Sequence, residues 1–275
     1  MKPTKILAAA LLLAAGAGLT ACDDISEEER LIPVDRPEIK RVVLIQEFTG
    51  MWCSNCPQGA QAVHDAINAN PGGIVAVSLH PKSARTFTRP APASMGGLDL
   101  ASEEADVYMD YWGANAFPTA VINGSELLTI PFSGWITAAE QALQVEAPCD
   151  LQVTTDYDPA TRELKADWNV TFNKVFTGDL SVMLWIVEND IVGFQVDNGH
   201  RLSDYVHNHV FRSTMNGAWG EQIDGQVFIA DDTATGSGSV TLKDDWVAEN
   251  CKVVAFVFQT ASKAVEQAAE ASINE

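Results

Sequence analysis

Basic residues are few in this chain, which has 17 Lys and Arg against 37 Asp and Glu over 275 residues, a net charge of −20. A surface this acidic argues against nucleic acid or anionic lipid headgroups as partners. The sequence also lacks internal repeats, a glycine-rich phosphate loop and a serine-hydrolase elbow. Cysteine is scarce, and the five cysteines include one closely spaced pair but no second pair to complete a zinc site. We therefore predict neither a metal site nor a cofactor.

Residues 1–21 have the pattern of a secretory signal peptide. Lys2 and Lys5 precede the apolar run from Ile6 to Leu13, which is too short to span a bilayer as a helix. The segment ends in the run Leu-Thr-Ala-Cys, which resembles the bacterial lipobox, in which the signal is removed and the cysteine is acylated. The resemblance implies that Cys22 is a lipid anchor. An ordinary cleaved signal that leaves Cys22 free is the alternative.

The segment after this cysteine is strongly acidic. Without the signal, the chain has 15 Lys and Arg against 37 Asp and Glu, a net charge of −22. The stretch from Asp23 to Arg30 should be solvated and self-repelling, and Pro33 and Pro37 stiffen the chain that follows. We therefore predict that residues 22–38 form a lipidated acidic tether and that the membrane is a partner through the lipid.

Two cysteines at close spacing follow a buried-looking strand. The run from Val42 to Ile45 is apolar throughout, as in a central strand covered on both faces, and Cys53-Ser54-Asn55-Cys56-Pro57 leads into a helix. Cysteines at this spacing can close and reopen a disulfide with little backbone movement. The free N–H groups at a helix start favour a thiolate at Cys53, which we predict to be the nucleophile. We expect Cys56 to resolve the mixed disulfide.

The stretch around these cysteines resembles the thioredoxin superfamily, in which an apolar strand, a Trp-Cys-x-x-Cys motif and a helix are followed by a cis-proline. Trp52 precedes the first cysteine, and Phe117-Pro118-Thr119 matches the later half of the signature. The resemblance implies that Pro118 is a cis-proline that faces the cysteines. It also implies that Trp52, Phe117 and Thr119 contact the substrate.

Glu47 lies six residues before the first cysteine. The superfamily usually has a buried Asp there, which moves a proton for the second cysteine, so the resemblance implies the same role for Glu47. Two interpretations of the cysteine pair stay open. The pair either exchanges disulfides, or it is an inert clip in a fold retained as a scaffold.

The residue patterns change near position 148. Residues 39–147 alternate apolar strands with helices; the apolar run 74–79 predicts one strand, and Pro71-Gly72-Gly73 ends the helix before it. Residues 148–275 contain six or seven short alternating strands, one of them over 163–172. With the resemblance above, these patterns predict an α/β thioredoxin-like domain over 39–147, followed by an all-β immunoglobulin-like sandwich domain over 148–275. Cys149 opens the first sandwich strand and Cys251 opens the last. In an exported protein, two such cysteines most simply form a structural disulfide.

Residues 190–224 are the least regular part of the second half, and they hold His200, His207 and His209. Two imidazoles on one face of a strand lack a convincing third ligand, so we expect a polar patch there rather than a metal site. A second irregular segment, residues 81–97, should leave its strand near the cysteines. It is either a substrate-shaping loop or an ordered surface decoration.

The lipobox, the acidic tether, the cysteine motif and the β-rich second half together resemble an outer-membrane lipoprotein family of anaerobic gut and oral bacteria, named for its twenty-eight-kilodalton size. The resemblance implies a location in the cell envelope, at the outer membrane. We predict a lipid-anchored thiol–disulfide oxidoreductase that uses Cys53 and Cys56 on protein or peptide thiols and disulfides. The alternative is a surface-exposed binding or adhesion lipoprotein in which the fold and the cysteine pair are structural.

Overall fold

The computed structural model describes residues 38–273. The helices are α1 (Cys56–Ala69), α2 (Arg85–Thr88), α3 (Glu103–Trp112) and α4 (Ser133–Leu143), with 3-10 turns at Ala93–Met95 and Ala248–Asn250. The strands of the first half are β1 (Val43–Phe48), β2 (Ile74–Leu79), β3 (Thr119–Ile122) and β4 (Leu127–Leu128). Those of the second half are β5 (Cys149–Asp158), β6 (Glu163–Phe172), β7 (Phe176–Thr177), β8 (Leu180–Glu188), β9 (Ile191–Asp197), β10 (His200–His207), β11 (Val210–Thr214), β12 (Glu221–Gln222), β13 (Val227–Phe228), β14 (Thr233–Thr241), β15 (Cys251–Gln259) and β16 (Val265–Ser272). The predicted signal peptide, the lipid anchor at Cys22 and the tether as far as residue 37 lie outside the described residues.

One mixed sheet of nine strands runs through both predicted domains. Its strand order is β16-β15-β8-β11-β2-β1-β3-β4, and β12 also pairs with β8. Strands β1 and β2 are parallel with Glu47 opposite Ser78, and β3 is antiparallel to β1 with Thr119 opposite Phe48. The two halves of the chain meet where β11 lies beside β2, and the Ser78 amide there donates to the His209 carbonyl oxygen at 2.7 Å.

This shared sheet shows that the predicted fold class is wrong. The described chain is mostly β, with the mixed sheet and three small sheets, and it is not an α/β thioredoxin-like domain followed by an immunoglobulin-like sandwich. Strand β8 is buried along its whole length, and β15 along nearly all of it. Strands covered on both faces belong inside a layered structure, whereas a sandwich strand keeps one face in water. The boundaries at 39–147 and 148–275 stay a prediction.

Apolar side chains pack on both faces of the mixed sheet. On one face, α1 and α4 cover β1, β2 and β3 through a cluster that includes Val63, Ile45 and Trp135. On the other face, α3 covers β2, β8 and β15, and the rings of Tyr108 and Trp185 lie 4.7 Å apart between their centroids. The three-stranded sheet β14-β6-β5 packs against the remaining face of β8 and β15. Both halves of the chain therefore build one compact unit.

Several local predictions are confirmed at the level of single elements. Strands β2 and β6 have the bounds that their apolar patterns predict. Helix α1 ends at Ala69, just before Pro71-Gly72-Gly73, which cannot continue a helix. No helix within residues 38–273 is long and apolar enough to cross a membrane.

Candidate functional site: a covered disulfide

The two closely spaced cysteines lie on the loop between β1 and α1, here named the cysteine loop (residues 49–56). Cys53 and Cys56 form a disulfide with their Cα atoms 5.4 Å apart, and Cys56 is the first residue of α1. Pro57 follows in the first helical turn, where its missing N–H removes no hydrogen bond. The Trp52 amide donates to the Phe87 carbonyl oxygen at 2.8 Å, which ties the loop to α2.

Both cysteines are buried beneath another part of the chain. The exposed fraction is 3% for Cys53 and 2% for Cys56. The cover is the antiparallel hairpin of β9 and β10, here named the cap hairpin (residues 191–207). It turns at Asn198 and Gly199, which both have positive φ, as a two-residue hairpin turn requires. The prediction of irregular structure is therefore wrong for this segment, and Asn-Gly is the sequence signal that could have identified it.

Backbone hydrogen bonds join the cap hairpin to the cysteine loop. The Val196 amide donates to the Met51 carbonyl oxygen at 2.8 Å, and the Asn198 amide donates to the Ser54 carbonyl oxygen at 3.1 Å. The Gly199 amide donates to the Ser54 hydroxyl oxygen at 2.8 Å. The turn of the hairpin therefore lies against Ser54, the first of the two residues that separate the cysteines.

Gln195 is the buried polar side chain of the cap hairpin, and its exposed fraction is only 3%. Its amide nitrogen donates to the Cys53 carbonyl oxygen at 3.1 Å and to the Gly50 carbonyl oxygen at 3.4 Å. Both carbonyls also accept a backbone N–H bond, the Gly50 oxygen from Cys53 and the Cys53 oxygen from Cys56. Gln195 therefore adds a second hydrogen bond to each, worth about 0.5–1.5 kcal/mol per bond, and it does so only while the hairpin is closed. No residue pattern in the sequence marked Gln195 as part of the site.

Trp52, predicted to contact substrate, packs within the protein. Its ring lies 4.7 Å from that of Phe194 in β9, between centroids. The Arg89 guanidinium lies 3.7 Å from the centroid of the indole ring, and the indole N–H donates to the Arg89 carbonyl oxygen at 3.0 Å. Part of the irregular segment 81–97 thus holds Trp52 in place. A role for Trp52 in substrate contact stays a prediction.

The turn before β3 lies near the base of the cysteine loop. The Phe117–Pro118 peptide bond is cis, as the resemblance implies. Thr119 lies opposite Phe48, the last residue of β1, and its buried hydroxyl has no hydrogen-bond partner among the described residues. Phe117 stacks on Phe87 with centroids 5.0 Å apart. The sheet therefore brings the proline turn to the end of β1, while the roles of Pro118, Phe117 and Thr119 toward a substrate stay predictions.

Glu47 is a buried carboxyl beneath the cysteine loop. Its exposed fraction is 2%, and burial raises its pKa to about 8, while a hydrogen bond with Ser78 acts in the opposite direction. The Oε1 atom has no hydrogen-bond partner in the described part of the chain. Glu47 is therefore mostly protonated and uncharged at neutral pH.

A small cavity of about 20 Å³ connects Glu47 to the back of the disulfide. Its lining includes Cys56, His80, His207 and Gln195. A volume of this size holds about one water molecule. Burial lowers the pKa of His80 to about 3 and that of His207 to about 4, so both imidazoles are neutral at pH 7. Within residues 38–273, no three or more His, Cys, Asp or Glu side chains are grouped to hold a metal ion.

Cys149 and Cys251 do not form the predicted disulfide, and each is a buried free thiol. They lie at opposite ends of the packed sheets. The Thr155 hydroxyl donates to the Ser272 carbonyl oxygen, and Ser272 pairs with Lys252, so Cys251 lies near Thr155 on β5. Cys149 is six residues earlier on that strand, about 20 Å away, and a disulfide needs Cα atoms within about 7 Å. Burial raises the pKa of both thiols to about 12.

The family described as outer membrane protein Omp28 matches residues 105–275, which is more than half of the chain. No curated protein matches the sequence. Among solved structures, HBP35 of Porphyromonas gingivalis has a TM-score of 0.65 at 17% identity, with 87% of this chain and 77% of that chain covered. This likeness shows a shared fold.

Two further solved structures match at lower scores. A protein of Agrobacterium tumefaciens has a TM-score of 0.48 at 18% identity, covering 86% of this chain and 97% of that chain. A domain of the outer membrane lipoprotein Omp28 from Porphyromonas gingivalis has a TM-score of 0.31 at 22% identity, covering 46% of this chain and 89% of that chain.

Proposed function

The chain belongs to the Omp28 family of outer membrane proteins, and from this premise we propose that it is a binding lipoprotein whose Cys53–Cys56 disulfide is structural. Membership of the family places the protein at the outer membrane. In this proposal the disulfide stabilises the loop that leads into α1, and the protein contacts its partner through other parts of its surface.

The single observation that carries this proposal is the cover over the disulfide. Disulfide exchange requires a thiolate to reach a sulfur atom, and both cysteines are almost fully buried beneath the cap hairpin. Opening the hairpin would break at least four hydrogen bonds to the cysteine loop. At about 0.5–1.5 kcal/mol each, that costs roughly 2–6 kcal/mol. If opening costs about 2 kcal/mol, about one molecule in thirty has an open hairpin. If it costs about 6 kcal/mol, about one molecule in ten thousand or fewer is open.

Replacing one cysteine at a time tests this proposal. If the disulfide is structural, Cys56→Ser should capture no more mixed disulfides in envelope extracts than the double variant Cys53→Ser/Cys56→Ser. Cys53→Ser is the matched control, because it breaks the same disulfide but removes the predicted nucleophile. An excess of client proteins bound through Cys53 in the Cys56→Ser variant would overturn the structural role.

Glu47 supports a second candidate, a thiol–disulfide oxidoreductase whose cysteine motif resembles that of the thioredoxin superfamily. The Glu47 carboxyl and Cys56 line the same small cavity, an arrangement suited to proton transfer. In this candidate, the Cys53 thiolate attacks a client disulfide and releases one client thiolate. The ionised form of Glu47, a minor fraction at neutral pH, accepts the proton of Cys56, and the Cys56 thiolate attacks the Cys53 sulfur of the mixed disulfide, so the client leaves fully reduced and the pair is oxidised. Pro118 and Thr119 would align the client chain, which is a protein or peptide, once the cap hairpin opens.

We also propose that the lipid on Cys22 holds the protein to the membrane. Support comes from the lipobox-like run that ends at Cys22, a residue outside the described part of the chain. Cys22→Ala should convert a detergent-extracted protein into one recovered in the aqueous fraction. Unchanged fractionation of this variant would contradict the anchor. With a net charge of −22 after signal removal, no nucleic-acid partner is proposed.

A further inference from the structure

A larger cavity opens between α1 and the cap hairpin, and the cysteine chemistry does not use it. Its volume is about 550 Å³, within the range of about 300–1,000 Å³ that is usual for small-molecule sites. Helix α1 supplies Gln61 and His64 to one wall, and the hairpin supplies Asp197 and Tyr205 to the other. Glu47 lines this cavity as well as the small one behind the disulfide.

Glu47, which lines the cavity, carries an unsatisfied polar atom. The side chain is 2% exposed, and Oε1 lacks a hydrogen-bond partner among the described residues. A buried polar atom in this state costs about 1–3 kcal/mol. A ligand that brings a hydrogen-bond donor to Oε1 recovers that cost, and so the cavity favours donors over ligands that carry only acceptors.

The charges around the cavity select the sign of the ligand. The residues that line it include two carboxyl groups, Glu47 and Asp197, and neither Lys nor Arg. The whole chain carries a net charge of −20, so its field also repels anions and attracts cations. A cationic hydrogen-bond donor satisfies both requirements, and an ammonium group is the simplest of these.

We propose that this cavity binds a small primary amine whose ammonium group pairs with the Glu47 carboxylate. The inference rests on the proposed function, in that it treats the protein as a binding protein, and it names the class of ligand. Below pH 8 the Glu47 carboxyl is mostly protonated, because burial raises its pKa to about 8. When the ammonium group binds, the carboxyl proton passes to the solvent and the carboxylate accepts a hydrogen bond from the amine. One proton is therefore released for each amine bound.

Other titratable groups near Glu47 do not supply this proton. His80 and His207 are already neutral above about pH 5, since burial lowers their pKa to about 3 and about 4. Burial raises the pKa of Tyr205 to about 12, so its phenol stays protonated. The remaining titratable residues in the lining are Asp197, His209 and His64. Burial lowers the pKa of His209, which leaves His64 as the histidine to control for.

Isothermal titration calorimetry of putrescine into the full-length protein in detergent tests the site. Titrations at pH 7 in buffers of different ionisation enthalpy should show release of close to one proton per amine bound. The affinity should rise about tenfold between pH 6 and pH 7, because each binding event displaces one proton. Glu47→Gln should abolish the proton release and weaken binding at least tenfold. In His64→Gln the proton release per amine bound should persist, which excludes His64 as its source. Glu140→Gln, at an exposed position on α4 outside the cavity, is the matched control and should leave both binding and proton release as in the wild-type protein.

A second variant keeps the test decisive if Glu47→Gln does not fold. Gln61→Trp adds a bulky ring at an exposed position of α1 that lines the cavity, and it should abolish binding without changing the buried carboxyl. The inference is overturned if putrescine at millimolar concentration and pH 8 does not bind. It is also overturned if butyrate binds equally well, or if Glu47→Gln still releases a proton. If Cys56→Ser traps no clients and putrescine does not bind, the amine inference fails while the structural role of the disulfide stands. If Cys56→Ser traps clients and putrescine binds, the structural role fails while the amine inference stands.

Discussion

The side-chain amide of Gln195 donates to the carbonyl oxygen of Cys53 at 3.1 Å, although 142 residues separate the two positions. This bond connects the cap hairpin, from the second half of the chain, to the cysteine loop in the first half. Both residues are buried. The accessibility of the disulfide is therefore determined by a segment far away in sequence, and not by the cysteine motif itself.

Gln195→Leu should loosen the cover over the disulfide. The substitution leaves the Cys53 and Gly50 carbonyls without their side-chain donor, so we expect the free energy of unfolding to fall by about 1–3 kcal/mol. Reduction by dithiothreitol should become about tenfold faster, since the open form gains roughly 1.4 kcal/mol relative to the closed one. Gln152→Leu, at an exposed position on β5, is the matched control and should change neither quantity. Equal reduction rates for Gln195→Leu and the wild type would show that this amide does not control access.

The raised pKa of Glu47 predicts that its contribution to stability is lost as the pH rises from about 4.5 to about 8. Burial raises its pKa in the folded chain from 4.5 to about 8. Between these values the folded state binds a proton that the unfolded state has released, so the free energy of unfolding falls as the pH rises. Glu47→Gln should remove this slope, leaving the variant close to wild type at pH 5 and more stable than wild type at pH 9 by roughly 2–4 kcal/mol.

Urea unfolding at pH 5, 7 and 9 measures this effect. Glu140→Gln, at an exposed position on α4, is the matched control and should keep the slope of the wild-type protein. His80 and His207 act in the opposite direction between pH 5 and pH 7, because their lowered pKa values of about 3 and about 4 keep them neutral in the folded chain while the unfolded imidazoles still bind protons. They contribute little between pH 7 and pH 9, so the effect of Glu47 is taken from that interval and from the difference between the wild type and Glu47→Gln. A wild-type stability that stays constant from pH 7 to pH 9 would rule out a buried, protonated Glu47.

Cys149 and Cys251 should behave as two free thiols. In the Cys22→Ala protein without reductant, alkylation in guanidinium should label these two cysteines and leave the Cys53–Cys56 disulfide unlabelled. Under native conditions both should react slowly, because they are buried and burial raises their pKa to about 12. Mass analysis of the labelled peptides gives the count. Failure to label either residue after unfolding would show that the pair is a disulfide after all.

Local patterns in the sequence predicted single elements well. The bounds of β2 follow from an uninterrupted apolar run, and the end of α1 follows from Pro71 and the glycines after it. The cysteine motif correctly placed Cys53 just before a helix, which begins at Cys56. These features could be predicted because they depend on residues that are close together in the sequence.

The pairing of distant strands could not be predicted in the same way. Strand β11 lies beside β2 through Val210 and Ser78, and nothing in either strand specifies which edge it will occupy. The largely apolar runs of β8 and β15 gave a partial indication, because a strand that is apolar on both faces usually lies inside a layered structure.

The cap hairpin was missed for a different reason. A register shift between Leu202 and Tyr205 breaks the alternation of β10, so the second strand gives no period-two pattern, although Asn198-Gly199 marks the turn.

The reduction potential of the Cys53–Cys56 disulfide tests the proposed structural role most directly. The Cys22→Ala protein would be equilibrated in dithiothreitol redox buffers, quenched by alkylation and analysed as the peptide that contains both cysteines. Structural disulfides have potentials below about −300 mV, whereas exchange-active pairs in thioredoxin-like proteins lie between about −270 and −120 mV. We predict a value below about −300 mV, and a value of about −270 mV or higher would contradict the structural role and support the oxidoreductase instead.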